Sequence, residues 1–320
     1  GEDGRGAWVA AVEANLRYLA QAVAVRRPTL FAAMMQWEAE AYRARQASTE
    51  DLRHSLECMG EVLSSQLPAS AAGVVDHVRI ALSAMAQPPP QDSTAGQLCS
   101  NGAHAEKLLA YVEAVLDNRS ADALHMILRW AREGIPIRDL YLDVLRPAMC
   151  EIGRMWHRGE ITVADEHVAS AATQVAMSAL RPSWPGAIAP VGRRAVAAAL
   201  EGDYHEIGLR MVADLLEMDG WTMEYIGVNT PARDIISCLH RTRADVLVLS
   251  VGSCIHLRSA GELIDRIHAS LGSDRPAVLM GGPPFSVIPD LWQELGGDAC
   301  AHELADSPSL ATALADKGRN

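Results

Sequence analysis

The chain has 320 residues, 49% of them apolar, and a formal net charge of −12. This length suits two domains or somewhat more, with enough apolar surface for a substantial core. The acidic balance argues against a basic nucleic-acid footprint, no apolar run reaches the roughly 20 residues of a membrane span, and six scattered cysteines without a CxxC pair read as reduced thiols, not as a disulfide frame or a zinc site. A cytoplasmic location is the expectation, and Gly1-Glu2-Asp3-Gly4 has no leader character.

Residues 1–90 read as a helical region. Leu16, Leu19, Val23, Leu30, Met34 and Trp37 recur at helical spacing, and Pro28 suits the first position of a new helix. Thr49 is placed to cap a helix from Glu50 that carries Leu52, Leu56, Met59 and Leu63. A shorter helix fits 69–86, and Pro88-Pro89-Pro90 with the polar run to Gly102 reads as a linker. Nothing in this region offers a basic recognition helix.

A helical bundle is expected over 103–181, with helices at about 103–117, 120–133, 137–156 and 162–180 and with Ser120 and Thr162 as N-caps. Short connections make neighbouring helices antiparallel. Pro182 to Pro190 is a second linker. From Arg193 the pattern changes: β-like runs at 195–200, 222–226, 246–250 and 277–280 alternate with helices at about 206–219, 231–242, 258–271, 286–295 and 303–316. The fold class is therefore mixed: all-α helices and a bundle, followed by a flavodoxin-like (Rossmannoid) α/β domain over 193–320 with a parallel sheet. Such sheets bind ligands at the carboxyl ends of their strands.

The first strand ends in Gly202-Asp203-Tyr204-His205-Glu206-Ile207-Gly208. Imidazole is a good ligand for a borderline transition metal, and Asp203 is close enough in sequence to hold its second nitrogen. The run resembles the Asp-x-His-x-x-Gly signature of base-off, His-on cobalamin-binding domains. That family includes methionine synthase, corrinoid proteins of methyltransferase systems and light-sensing B12 regulators. The resemblance implies His205 as lower axial ligand to cobalt, Asp203 as its partner, and Gly208 where the cofactor tail passes close to backbone. In the family a serine ends the third strand and is followed two residues later by Leu or Thr. Ser250 matches, Gly252 departs, and Ser253 is a candidate substitute. Gly281-Gly282 matches the family's glycine pair after the fourth strand.

In the bundle, Trp156 and His157 precede Glu166-His167 in a W-x9-E-H pattern that resembles the B12 photoreceptor regulators. This implies that Trp156, Glu166 and His167 contact the adenosyl group of adenosylcobalamin, and that His157 becomes an upper cobalt ligand after photolysis. The resemblance covers about 105–316. It implies a light sensor that is not an enzyme, works as a homo-oligomer and signals to a downstream protein partner through domain rearrangement. Two alternatives stand beside it: a corrinoid carrier protein in methyl transfer, and a light-independent B12-responsive regulator. The regulators' winged-helix DNA-binding domain is not found, so direct nucleic-acid binding is not expected. The helices of 1–90 are left for dimerisation, partner binding or a second chromophore such as a bilin, although Cys58 and Cys99 have no diagnostic context for linking one.

Overall fold

The computed structural model describes residues 2–68, 71–87, 104–184 and 189–318. The linker expected at 88–102 lies outside them, as do 185–188 of the second. The chain divides into two units, residues 1–93 with 253–259, and residues 94–252 with 260–320.

The first unit holds helices α1 (Glu2–Ala24), α2 (Pro28–Ala44), α3 (Thr49–Gln66) and α4 (Ala72–Met85). Pro28 occupies the first turn of α2, where a missing N–H costs nothing. Leu19, Leu30, Phe31, Met35, Leu56 and Val78 are buried. The cap of α3 is Ser48, not Thr49: Ser48 is the extended residue, and its hydroxyl accepts from the Glu50 N–H at 3.2 Å.

The second unit opens with the bundle: α5 (Ala105–Leu116), α6 (Ser120–Arg132), α7 (residues 137–157) and α8 (Val163–Leu180). Helix α7 contains a π-helical stretch, Leu140–Leu145. Thr162 caps α8 in a reciprocal box with Asp165. Ser120 does not cap α6. The preceding turn closes through the Arg119 N–H on the Ala114 carbonyl, 2.8 Å, which places Arg119 at the boundary and Ser120 inside the helix.

The α/β part follows as β1 (Arg194–Leu200), α9 (Glu206–Met218), β2 (Thr222–Thr230), α10 (Ala232–Thr242), β3 (Val246–Ser250), α11 (Leu257–Leu271), β4 (Ala277–Gly281), α12 (Pro284–Val287), α13 (Leu291–Glu294), β5 (Ala299–Ala301) and α14 (Ser307–Lys317). The strands form one parallel sheet in the order β2-β1-β3-β4-β5. Two differences from the sequence reading have plain causes. Pro289 breaks the helix expected at 286–295 into single turns. The fifth strand is only three residues, Ala-Cys-Ala, without a β-branched side chain to announce it.

Helix α9 is a wall shared by two cores. Leu209, Ala213 and Leu216 pack with Ala195, Ala197 and Ala199 of β1. Met211, Leu215 and Met218 pack with Tyr111, Tyr141 and Met177 of the bundle. The bundle and sheet are thus joined through α9 within one unit.

Candidate functional site

The strand order places a topological switch beside β1. The chain leaves β1 for β2 on one side, then crosses back to β3 on the other, opening a crevice at the carboxyl ends of β1 and β3. Ala199 pairs with Ser250, and Ser250 with Gly281, so these strand-end residues form one row across the sheet.

The loop after β1 turns through Gly202 at φ +84°, and its N–H donates to Asn229 Oδ1 at 2.8 Å. Asp203 is then buried, 1% exposed, with the Asn229 N–H on its carbonyl at 2.9 Å. Its carboxylate accepts three donors: the His205 backbone N–H at 3.1 Å, His205 Nδ1 at 2.8 Å, and the Gly252 N–H at 2.6 Å. Burial acts to raise the pKa of Asp203, but the bonds from His205 and Gly252 and the imidazole charge hold the carboxyl below the usual carboxylate range. The Asp203 hydrogen bond raises the imidazole of His205 above its usual value; burial opposes this, and the charges of Asp203 and Glu166 add to it.

With Nδ1 committed to Asp203, Nε2 of His205 carries the lone pair. Its side chain is 67% exposed, so the ring is held at one nitrogen and offered at the other. Gly252 lies against this pair. A Cβ there would fall 2.5 Å from His205 Cγ and 2.6 Å from Asp203 Oδ1, so no larger residue fits. Where the family pattern has Leu or Thr, glycine instead brings the β3 loop up to the ring. Its departure from the pattern was the sequence signal, and only the structure gives it a reason. Gly282 has φ +127°, and a Cβ on it would collide with the Val251 carbonyl oxygen. At Gly208, in contrast, a Cβ would meet nothing within 4 Å, so the first turns of α9 are open on that side. Ser250 is half-buried at the end of β3. Ser253 heads the segment 253–259, which belongs to the first unit.

The bundle contributes residues beside this loop. Glu166, in the first turn of α8, is near enough for its charge to act on His205. It accepts from His167 Nδ1 at 2.7 Å and from the Ser170 hydroxyl at 2.6 Å. Trp156 stands four and eight residues after the buried Ile152 and Ala148, so it continues the core-facing line of α7 to the helix end, where it is 41% exposed. His157 is buried at 8% in the last turn of α7. Behind them Arg154 donates to Glu151 and Glu160, tying the turn after α7 to the helix.

Among the described residues no group of three or more His, Cys, Asp or Glu side chains is arranged to hold a metal ion. A single oriented imidazole fits a metal whose other ligands arrive with it, as in a metal macrocycle, and Gly208 leaves open space at the start of α9 for a bulky ligand. The residues present fit a corrinoid.

The fold and site thus define a corrin-binding α/β protein with a helical bundle. Comparison with known proteins agrees. A family model described as "B12 binding domain" matches residues 193–308, and a second of that description matches 108–181. Dimethylamine corrinoid protein 3 of Methanosarcina acetivorans is 25% identical over 203 residues, 63% of this chain and 93% of that protein. The HTH-type transcriptional repressor CarH of Myxococcus xanthus is 28% identical over 179 residues, 55% of this chain and 56% of that protein. The structure of the Methanosarcina barkeri monomethylamine corrinoid protein is similar with a TM-score of 0.59 at 23% identity, covering 66% of this chain and all of that one, a likeness of fold. A B12-binding domain is present, and the chain is a cobalamin-binding protein. No described helix is long and apolar enough to cross a membrane. The comparisons lend no support to a bilin as second chromophore.

Proposed function

We propose that the protein is a corrinoid carrier that holds cobalamin on His205 and offers the cofactor's upper face to a partner protein for methyl transfer. The observation that carries this reading is one of extent. The matches to corrinoid proteins take in nearly all of those proteins, 93% of dimethylamine corrinoid protein 3, whereas the match to CarH spans about half of that repressor. The sensor reading of the sequence therefore yields first place to the carrier reading.

When bound, cobalt supplies a metal–carbon bond that is made and broken at its upper face. This chain's residues bind and orient. Asp203 keeps the Nδ1 proton of His205, which leaves Nε2 as the donor. The N–H of Gly252 anchors the second carboxylate oxygen. Gly208, Ser250, Ser253, Gly281 and Gly282 are our assignment for the path of the nucleotide tail.

A second reading, a light-responsive regulator using adenosylcobalamin, is favoured by one specific observation. Trp156 extends the bundle's apolar line beyond its core, and the bonded pair Glu166–His167 begins the next helix with its charge felt at His205. On that reading His157 would be a further residue to hold the metal, and would have to leave its buried position to do so. In both readings the output passes to a protein partner, and we include homo-oligomerisation in the proposal.

The test loads the full chain with methylcobalamin or adenosylcobalamin and follows affinity and assembly in the dark and under green light. The carrier reading expects methylcobalamin to bind at least as tightly, with no light-dependent change in size-exclusion elution. Preference for adenosylcobalamin together with a light-driven change of assembly would overturn it in favour of the sensor.

A further inference from the structure

The edge strand β2 outgrows its neighbour as it nears the site. Ala197 pairs with Tyr225, Ala198 with Gly227 and Leu200 with Thr230, so β2 holds two more residues than β1 over this stretch. Extra residues in one strand make a bulge, which breaks the ladder locally and re-aims a side chain. Asn229 lies in the last of these steps, between Gly227 and Thr230. Its φ is +52°, in the left-handed region that non-glycine residues adopt at a cost, asparagine at less cost than most.

Asn229 engages the loop after β1 twice. Its Oδ1 accepts the Gly202 N–H at 2.8 Å, and its own N–H donates to the Asp203 carbonyl at 2.9 Å. The Asp203 N–H is closed on the Leu200 carbonyl at 3.0 Å. Three successive peptide groups, 201–202, 202–203 and 203–204, are thus held, the first and last of them by Asn229. With its backbone fixed on both sides, Asp203 aims a carboxylate that takes both the N–H and the Nδ1 of His205. The two bonds of Asn229 go to backbone and not to the imidazole, so its effect on His205 passes through Asp203.

We infer that Asn229 is a positioning residue for the axial ligand: by bracketing Gly202 and Asp203 from the edge strand, it fixes the carboxylate that orients His205 toward cobalt. The inference rests on the reading of His205 as the lower ligand. The bracket has two separable halves. The side-chain oxygen holds Gly202 and the backbone N–H holds Asp203, so glycine at position 229 keeps the second half and loses the first. A ring whose support is loosened competes less well with the cofactor's own base for the same position on cobalt.

The test uses the full chain grown on nitrogen-15 histidine, as wild type, N229G, N229A and N229D. Each is titrated with hydroxocobalamin, examined by paramagnetic resonance as the cob(II)alamin form, and melted without cofactor. N229G accepts the left-handed backbone freely, so it should melt higher than N229A. Both lose the acceptor, so both should bind about threefold to tenfold more weakly than wild type. In both, the triplet of the cofactor's own base should appear beside the doublet from His205. N229D keeps an acceptor oxygen and tolerates a positive φ, so it should bind within about twofold of wild type and show the doublet alone. An N229G chain with wild-type affinity and the doublet alone would overturn the inference, as would an N229D chain no tighter than N229G. Affinities that track melting temperature across the series would show a structural role only, and would overturn it too. A triplet alone in the labelled wild type would instead remove the His205 reading on which the inference stands.

Discussion

Gly252 and His205 are in contact at the point where the loops after β3 and β1 meet, with the Gly252 N–H fixed on the same carboxylate that holds the imidazole. A methyl group at position 252 must displace the ring or the carboxylate. G252A is therefore expected to weaken hydroxocobalamin binding at least tenfold, about 1.4 kcal/mol, and to destabilise the fold by about 1–3 kcal/mol. G208A is the contrasting variant. Its Cβ meets nothing in the protein, and alanine favours a helix over glycine by roughly 0.5–1 kcal/mol, so stability should hold or rise while cobalamin affinity falls. Absorbance titration and thermal unfolding of both variants check this. Unimpaired binding by G208A would mean that the cofactor does not pass there.

Trp156 gives a test of the upper face. The residue is 41% exposed, so W156A should fold normally. If the ring covers the upper ligand, the loss of affinity should be greater for adenosylcobalamin than for methylcobalamin, because the larger ligand loses more contact. Equal losses in equilibrium titrations would place Trp156 away from the upper ligand in either functional reading.

The sheet carries its own acid sensitivity. Asp298 accepts from Arg275 Nη1 at 2.7 Å and Nη2 at 2.9 Å, and from the Val278 N–H at 2.7 Å, tying β4 to the turn before β5. Burial works to raise its pKa, but Arg275 and the Val278 N–H outweigh it and hold the carboxyl below the usual range. A carboxyl with a depressed folded pKa contributes stability that is fully present above its unfolded value, near 3.9, and is lost as pH falls through the folded value. The melting temperature of the wild type should therefore fall as pH drops below about 4, while D298N should be less stable at pH 7 and lose less on acidification. Parallel pH profiles for the two proteins would contradict this assignment.

The strands β1, β3 and β4 and the bundle helices were legible because their apolar periodicities were long and their turns marked by glycine and proline. Asp203 and His205 were legible for a different reason: the bond between them spans two residues. What the sequence concealed were relationships made across space. Arg181 and Tyr141 reach Asp214 over separations of 33 and 73 residues, and no local pattern marks any of them. The double role of α9 was hidden because two apolar stripes on one helix read as a single broad one. The role of Gly252 was hidden because its constraint comes from the imidazole, 47 positions earlier. Ser48 and Thr49 both qualify as N-caps by type, and the choice between them is made by backbone angles alone.

The central claim is that Nε2 of His205 takes the lower position on cobalt. Paramagnetic resonance of the cob(II)alamin form tests it most directly, with the chain grown on nitrogen-15 histidine. A single axial nitrogen from the protein turns the triplet splitting of nitrogen-14 into a doublet, and H205A should lose that doublet. D203N should retain the doublet with affinity lowered by roughly 10- to 100-fold, since only the support of the ring is changed. A triplet that persists in the labelled wild-type protein would mean that the cofactor keeps its own base, and would contradict the account.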